Sequence, residues 1–115
     1  MGTKPPEIKQ DNMYQLLREG KVSEFNKLRA AGKKSDLTGA DFRGLDLRGL
    51  DAANLDVSNA YFRQADLRGI DFSQTNLNGA SINSCKISGC LFPIELTAEE
   101  IELSLIHGTR MRYKK

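Results

Sequence analysis

The sequence predicts a mainly β chain wound into a short solenoid and closed by helices at both ends, and three observations predict it. From Ser35 to Ile94 the chain repeats every five residues, as SDLTG, ADFRG, LDLRG, LDAAN, LDVSN, AYFRQ, ADLRG, IDFSQ, TNLNG, ASINS, CKISG and CLFPI, without an insertion. The third residue of all twelve units is apolar, from Leu37, Phe42 and Leu47 to Ile82, Ile87 and Phe92, and the first is small or aliphatic. The flanks carry the apolar spacing of amphipathic helices instead.

A period of five fits neither the 3.6 of a helix nor the two-residue alternation of a long strand. Residues one and three of a unit can both point inward only if a short extended stretch spans them and a bend follows. The fifth position supplies that bend, with Gly in six units and Asn54 and Asn59 in two more. Both residue types tolerate the left-handed backbone that sharp turns require.

The units ADFRG, ADLRG, TNLNG and ASINS closely resemble the A(D/N)LxX motif of the pentapeptide-repeat family. The resemblance covers residues 35–94 and implies a right-handed quadrilateral β-helix in which four units complete one coil. Residues 20 apart would then stack, giving three coils and the core columns Leu37/Val57/Leu77, Phe42/Phe62/Ile82, Leu47/Leu67/Ile87 and Ala52/Phe72/Phe92, with Ala40/Ala60/Ala80 in a second inner set. At roughly 4.8 Å per coil the stack is only about 14 Å tall. Each end would expose unpaired backbone and apolar side chains, so both need covering.

The flanks read as covers, and the divisions fall at 1–11 (flexible N-terminus), 12–34 (helical cap), 35–94 (repeats), 95–109 (helical cap) and 110–115 (basic tail). Residues 12–31 form helix in two pieces joined at Gly20, with Met13, Leu16 and Leu17 on one apolar stretch and Val22, Phe25 and Leu28 on the next. Ser23 is placed to cap the second piece and Gly32 to end it. Downstream, Thr97 and Glu100 form a capping box that opens a helix to His107, terminated by Gly108. Its wheel puts Ala98, Ile101, Leu105 and Ile106 on one broad apolar face, with Leu103 well off its centre.

At 115 residues the chain has room for one domain. With 39% hydrophobic and 28% charged residues it is too apolar for global disorder. The start carries Lys and prolines rather than the apolar stretch of a secretory leader, and no window approaches a membrane span, which points to the cytoplasm. Pro6 stands where a myristoylation motif wants Ser or Thr. Net charge is +2, divided unevenly: residues 1–34 hold eight Lys/Arg against four Asp/Glu, while 35–94 hold five against seven.

A hydrolase or transferase needs a nucleophile, a base and an orienting group in one pocket. The single histidine, His107, sits at a helix end, and the reading is non-enzymatic, without cofactor or metal. Cys85 and Cys90 fall at the inward first position, which makes them small apolar core residues, a redox pair being the other reading. The second-position aspartates form a solvated repeat surface. Arg43/Arg63 and Arg48/Arg68 stack on two adjacent faces among Asp41, Asp46 and Asp66. Tyr61 stands between them where Asp is usual, and an exposed Tyr beside Arg has the composition of a protein-contact hot spot.

The leading function is therefore a small protein-binding adaptor or scaffold of bacterial type with an unidentified protein partner. Some members of the family protect type II topoisomerases by imitating DNA with a long acidic rod. Here the three coils span about four base-pair rises, and residues 75–94 hold no acid. A third reading is nucleic-acid binding through the basic ends, Lys27, Arg29, Lys33, Lys34, Arg110, Arg112, Lys114 and Lys115. Family members also pair through their C-terminal ends. The apolar surplus of Ile101, Leu103, Leu105 and Ile106 suits a homodimer, the alternative being a monomer whose Leu103 packs on the tail at Met111 and Tyr113.

Overall fold

The computed structural model describes residues 4–114. It forms three helices, α1 (Asn12–Arg18), α2 (Val22–Ala30) and α3 (Ala98–His107). α1 begins at Asp11, whose carboxylate accepts from the Tyr14 N–H at 3.0 Å. Gly20, at φ +78°, reverses the chain, and the Lys21 N–H donates back to the Leu16 carbonyl at 2.8 Å. α2 then restarts at once: Lys21 is its N-cap, without a side-chain hydrogen bond. Ser23 lies inside that helix rather than capping it. Met13, Tyr14, Leu17, Val22 and Phe25 are buried, whereas Leu28, expected on the same face, has turned past Phe25 toward solvent and is 39% exposed.

Between α2 and α3 the chain pairs with itself at a fixed offset. Isolated parallel bridges join Asp41 to Tyr61 and Tyr61 to Ser81, Asp46 to Asp66 and Asp66 to Lys86, Asp56 to Asn76, and Asp71 to Leu91. Each partner is 20 residues away, so segments 35–54, 55–74 and 75–94 lie side by side in register. In one such link the Phe42 N–H donates to the Tyr61 carbonyl at 2.8 Å and the Tyr61 N–H to the Ala40 carbonyl at 3.0 Å. Against the expectation of a mainly β chain, no strand or sheet is assigned among the described residues. A bend every five residues leaves too short an extended stretch for a ladder longer than one bridge.

The columns expected from the 20-residue offset are buried through the first two segments: Leu37, Phe42, Leu47, Ala52, Val57, Phe62, Leu67 and Phe72 are all at most 2% exposed. Aromatic rings run through the core, with Tyr14 against Phe42 at 5.7 Å, Phe42 stacked on Phe62 at 5.1 Å, and Phe72 stacked on Phe92 at 6.1 Å between centroids. Two turn residues that are neither Gly nor Asn, Gln64 and Ser84, also adopt the left-handed conformation. At Gly79 space also matters, because a Cβ there would lie 2.1 Å from the Asn59 Oδ1.

Both ends of the chain fold back onto the repeats. Residues 4–10 fall in the stretch expected to be a flexible lead-in, yet Glu7 forms a parallel bridge to Ala40. Its N–H donates to the Gly39 carbonyl at 3.0 Å, and its carbonyl accepts from Asp41 N–H at 2.9 Å. Those edge groups would otherwise lack backbone partners on that side. At the far end, Thr97 caps α3 by accepting from the Glu100 N–H, and Gly108 closes it at φ +74°. The packed face of α3 differs from the wheel. Ser104 is its one buried residue, flanked by half-buried Ile101 and Leu105. Ala98 is exposed, as are Leu103 at 37% and Ile106 at 61%. The basic tail returns along the repeats with Met111 fully buried. No described helix is long and apolar enough to cross a membrane.

Candidate protein-contact face

The outward surface of the repeats is built by one local device. The carboxylate at the second position of a unit accepts a hydrogen bond from the backbone N–H two residues on: Asp36 from Thr38, Asp41 from Arg43, Asp46 from Arg48, Asp51 from Ala53, Asp56 from Ser58, Asp66 from Arg68 and Asp71 from Ser73, at 2.8 to 3.2 Å. Asn76 does the same for Asn78. These Asx turns bond the polar backbone of each bend, so the aspartates are structural as well as solvated. The D-x-polar spacing in the sequence is the signal that could have revealed this.

Where the fourth residue is Arg, its guanidinium folds back onto the same carboxylate. Arg43 Nε and Nη2 bond the two oxygens of Asp41 at 2.9 and 3.0 Å. Arg48 and Arg68 hold Asp46 and Asp66 in the same way. Arg48 also reaches across to Asp66 at 3.4 Å, linking neighbouring segments. The side-chain bond from Arg43 holds the carboxyl of Asp41 below the usual range, and that from Arg48 does so for Asp46. Asp66, bonded by Arg68 and close to Arg48, is lowered to about 2. The bridges thus bring Arg43 and Arg63 into adjacent segments of one row, and Arg48 and Arg68 into the next. Arg63 is exposed and has no carboxylate partner among the described residues.

Tyr61 is not the free aromatic expected of it. It is half-buried, its hydroxyl donates to the Lys4 carbonyl and accepts from Arg110 Nη2, and the Arg110 guanidinium lies 5.0 Å over its ring. Arg110 Nη1 also donates to the Gly79 carbonyl at 3.0 Å and to Asn59 Oδ1 at 3.3 Å. Residues from both ends of the chain therefore converge on Tyr61 and line a depression of about 400 Å³ with Glu7, Thr38 and Asn59. Nothing in the sequence pairs Tyr61 with Arg110, 49 residues away.

The other candidates are placed as follows. The thiols of Cys85 and Cys90 are half-buried and donate to the carbonyls of Phe62 and Leu67 at 2.7 and 2.9 Å. Burial pushes the Cys85 thiol up to about 12 and raises that of Cys90 as well, which disfavours the thiolate form of both. His107 is exposed at the end of α3. Of the basic ends, Arg29 is spent on the carbonyls of Asp51 and Ala53, and Arg112 pairs with Glu100. Of the four residues named for self-association, α3 turns Leu103 and Ile106 outward and keeps Ile101 and Leu105 half-buried.

No curated protein and no solved structure matches the chain significantly. The family model for pentapeptide repeats matches residues 53–92 as eight copies. With four further units at 35–54 and bridges spaced 20 residues apart beneath them, the five-residue period that this family model matches runs without a break over residues 35–94.

Proposed function

We propose that the array winds as a right-handed quadrilateral β-helix of three coils and that the chain is a non-enzymatic protein-interaction module of the cytoplasm. One observation carries this reading: bridges at a constant 20-residue offset hold the outward side chains of adjacent segments in fixed rows. Such rows give a partner a surface whose ordering cost has been met during folding. The contact face centres on Arg63, with Arg43, Arg48 and Arg68 around it, and Tyr61 fixes the chain ends beside it. A partner offering carboxylates fits Arg63 best, because the other three arginines already hold aspartates. The same pairing weakens the DNA-mimic alternative, since Asp41, Asp46 and Asp66 are each neutralised by an arginine.

The test is affinity capture followed by titration of the captured protein. The substitution Arg63→Glu should weaken binding at least ~10-fold, the equivalent of about 1.4 kcal/mol, with an unchanged melting curve, because Arg63 is exposed and holds no carboxylate among the described residues. Undiminished binding would move the site off this face. Self-association belongs to the same reading, through the outward Leu103 and Ile106 with Ile101 and Leu105 behind them, in a twofold dimer. Light scattering should give a dimer mass that Leu103→Glu halves. A monomer up to about 1 mM, where binding is worth only about 4 kcal/mol, would end that part.

A further inference from the structure

The far edge of the repeats is only half covered. On segment 75–94, four backbone N–H groups bond α3 and the tail: Leu77 bonds the Tyr113 hydroxyl at 2.9 Å, Gly79 the Met111 carbonyl at 2.7 Å, Ile82 the Ser104 hydroxyl at 3.0 Å and Ser84 the Leu105 carbonyl at 3.0 Å. The corresponding groups on the next two units, Ile87, Gly89 and Phe92, find no acceptor among the described residues. One segment below, their counterparts are all bonded, Leu67 to Lys86, Gly69 to Ser88 and Phe72 to Leu91, at 2.8 to 2.9 Å. Burial follows the same division. Ala65, Leu67, Ile70 and Phe72 are at most 2% exposed, whereas Cys85, Ile87, Cys90 and Phe92 above them are only half-buried, and Leu91 is 57% exposed.

We propose that this open edge, Cys85–Phe92, is a docking ledge for an extended apolar segment of another protein, bound by strand addition. The proposal rests on the interaction-module reading and assigns it a second surface, away from the arginine rows. The chain itself shows how such an edge is filled. On the adjoining unit Met111 accepts from the Gly79 N–H and donates its own N–H to the Ala80 carbonyl at 2.8 Å, with its side chain fully buried. Glu7 makes the equivalent pair with Gly39 and Asp41 at the opposite end.

An occupant of the ledge must offer carbonyls to Ile87 and Gly89 and an N–H to Cys85 or Cys90 while inserting an apolar side chain. Extended backbone can do this, whereas a helix interior has already bonded its own groups. α3 stands on the adjoining edge at Ile82 and Ser84. A helix is about 10 Å across and one extended segment takes up about 4.8 Å. The step beside α3, about two segments deep, therefore leaves room for an extended segment on the ledge and holds the flat end of a second copy away.

The probe is a synthetic peptide, ADLRGIDF, copied from residues 65–72, which run in register directly below the ledge. In the free protein the amides of Ile87 and Gly89 should exchange at least ~10-fold faster than those of Leu67 and Gly69. Peptide at about 1 mM should slow them ~10-fold and slow the reaction of Cys85 and Cys90 with a disulfide reagent in proportion. The same peptide with Asp in place of its Leu and Phe should do neither. The variant Arg63→Glu should leave the peptide effect intact, which separates this surface from the arginine face. Ledge amides already as protected as Leu67 in dilute protein, or unmoved by the peptide, would overturn the proposal. So would protection that grows with protein concentration alone as the mass doubles, because the occupant would then be a second copy.

Discussion

At the scale of the residue, the second-position aspartates decide how each bend closes, and they make it sensitive to acid. Asp66 titrates near 2, and Asp36, Asp41, Asp46 and Asp71 are also lowered by hydrogen bonds to the residues two positions on. A carboxyl with a lowered folded-state pKa adds stability that is present above its unfolded value, near 4, and is lost as pH falls through the folded one. Melting temperature should accordingly be flat above about pH 5 and fall between roughly pH 4 and 2. Asp66→Asn, which keeps an acceptor for the Arg68 N–H, should shallow that fall, and an unchanged acid limb would remove Asp66 from the account. Asp41 is the more buried member, its side chain 9% exposed. Asp41→Ala should cost about 2 kcal/mol in urea unfolding, the value of hydrogen bonds to a charged group.

At the scale of the element, α3 acts on the repeats through a polar residue. Periodicity marked Ile101, Leu105 and Ile106 as the packed side, but Ser104 is the residue that reaches the Ile82 N–H. A hydropathy pattern counts apolar residues, so it passes over a serine whose hydroxyl is needed as an acceptor. Ser104→Ala would strand that buried donor at a cost of ~1–3 kcal/mol. If its denaturation midpoint matched the parent protein, water would have taken the hydroxyl's place. The ends of α3 were readable, because Thr97 and Gly108 bound it through local chemistry that a few adjacent residues encode. Lys21, an N-cap with no side-chain bond, carries no such mark, which is why Ser23 was the natural but mistaken choice.

At the scale of the whole molecule, one side chain in the middle segment holds both ends of the chain. Tyr61 joins the Lys4 carbonyl to Arg110, and the two terminal stretches add Glu7 and Met111 to opposite edges of the same row. Tyr61→Phe keeps the ring under Arg110 but removes both hydroxyl bonds. It should cost about 1 kcal/mol and speed tryptic cleavage after Lys9, which the stretch 4–10 otherwise protects. Arg110→Ala should lower stability similarly, with the double substitution falling short of the sum because the two residues share one contact. Strict additivity would mean the ends are held independently.

The sequence by itself determined the repeat, its register and the inward columns of its first two segments, because each rests on residues that recur at a fixed spacing. Ala40, Ala60 and Ala80 could be placed in one column before any coordinate was known, and all three are at most 1% exposed. Only the tertiary structure decided what the exceptional residues do. Tyr61 reads as a surface contact until Arg110 and Lys4 arrive from sequence distances of 49 and 57 residues, and the course of the tail stays open until Met111 pairs with Gly79 and Ala80. The same holds for the open ledge at Cys85–Phe92. The repeat pattern treats all units alike, whereas covering an edge depends on how far α3 and the tail reach, and that is set by packing at the end of the stack.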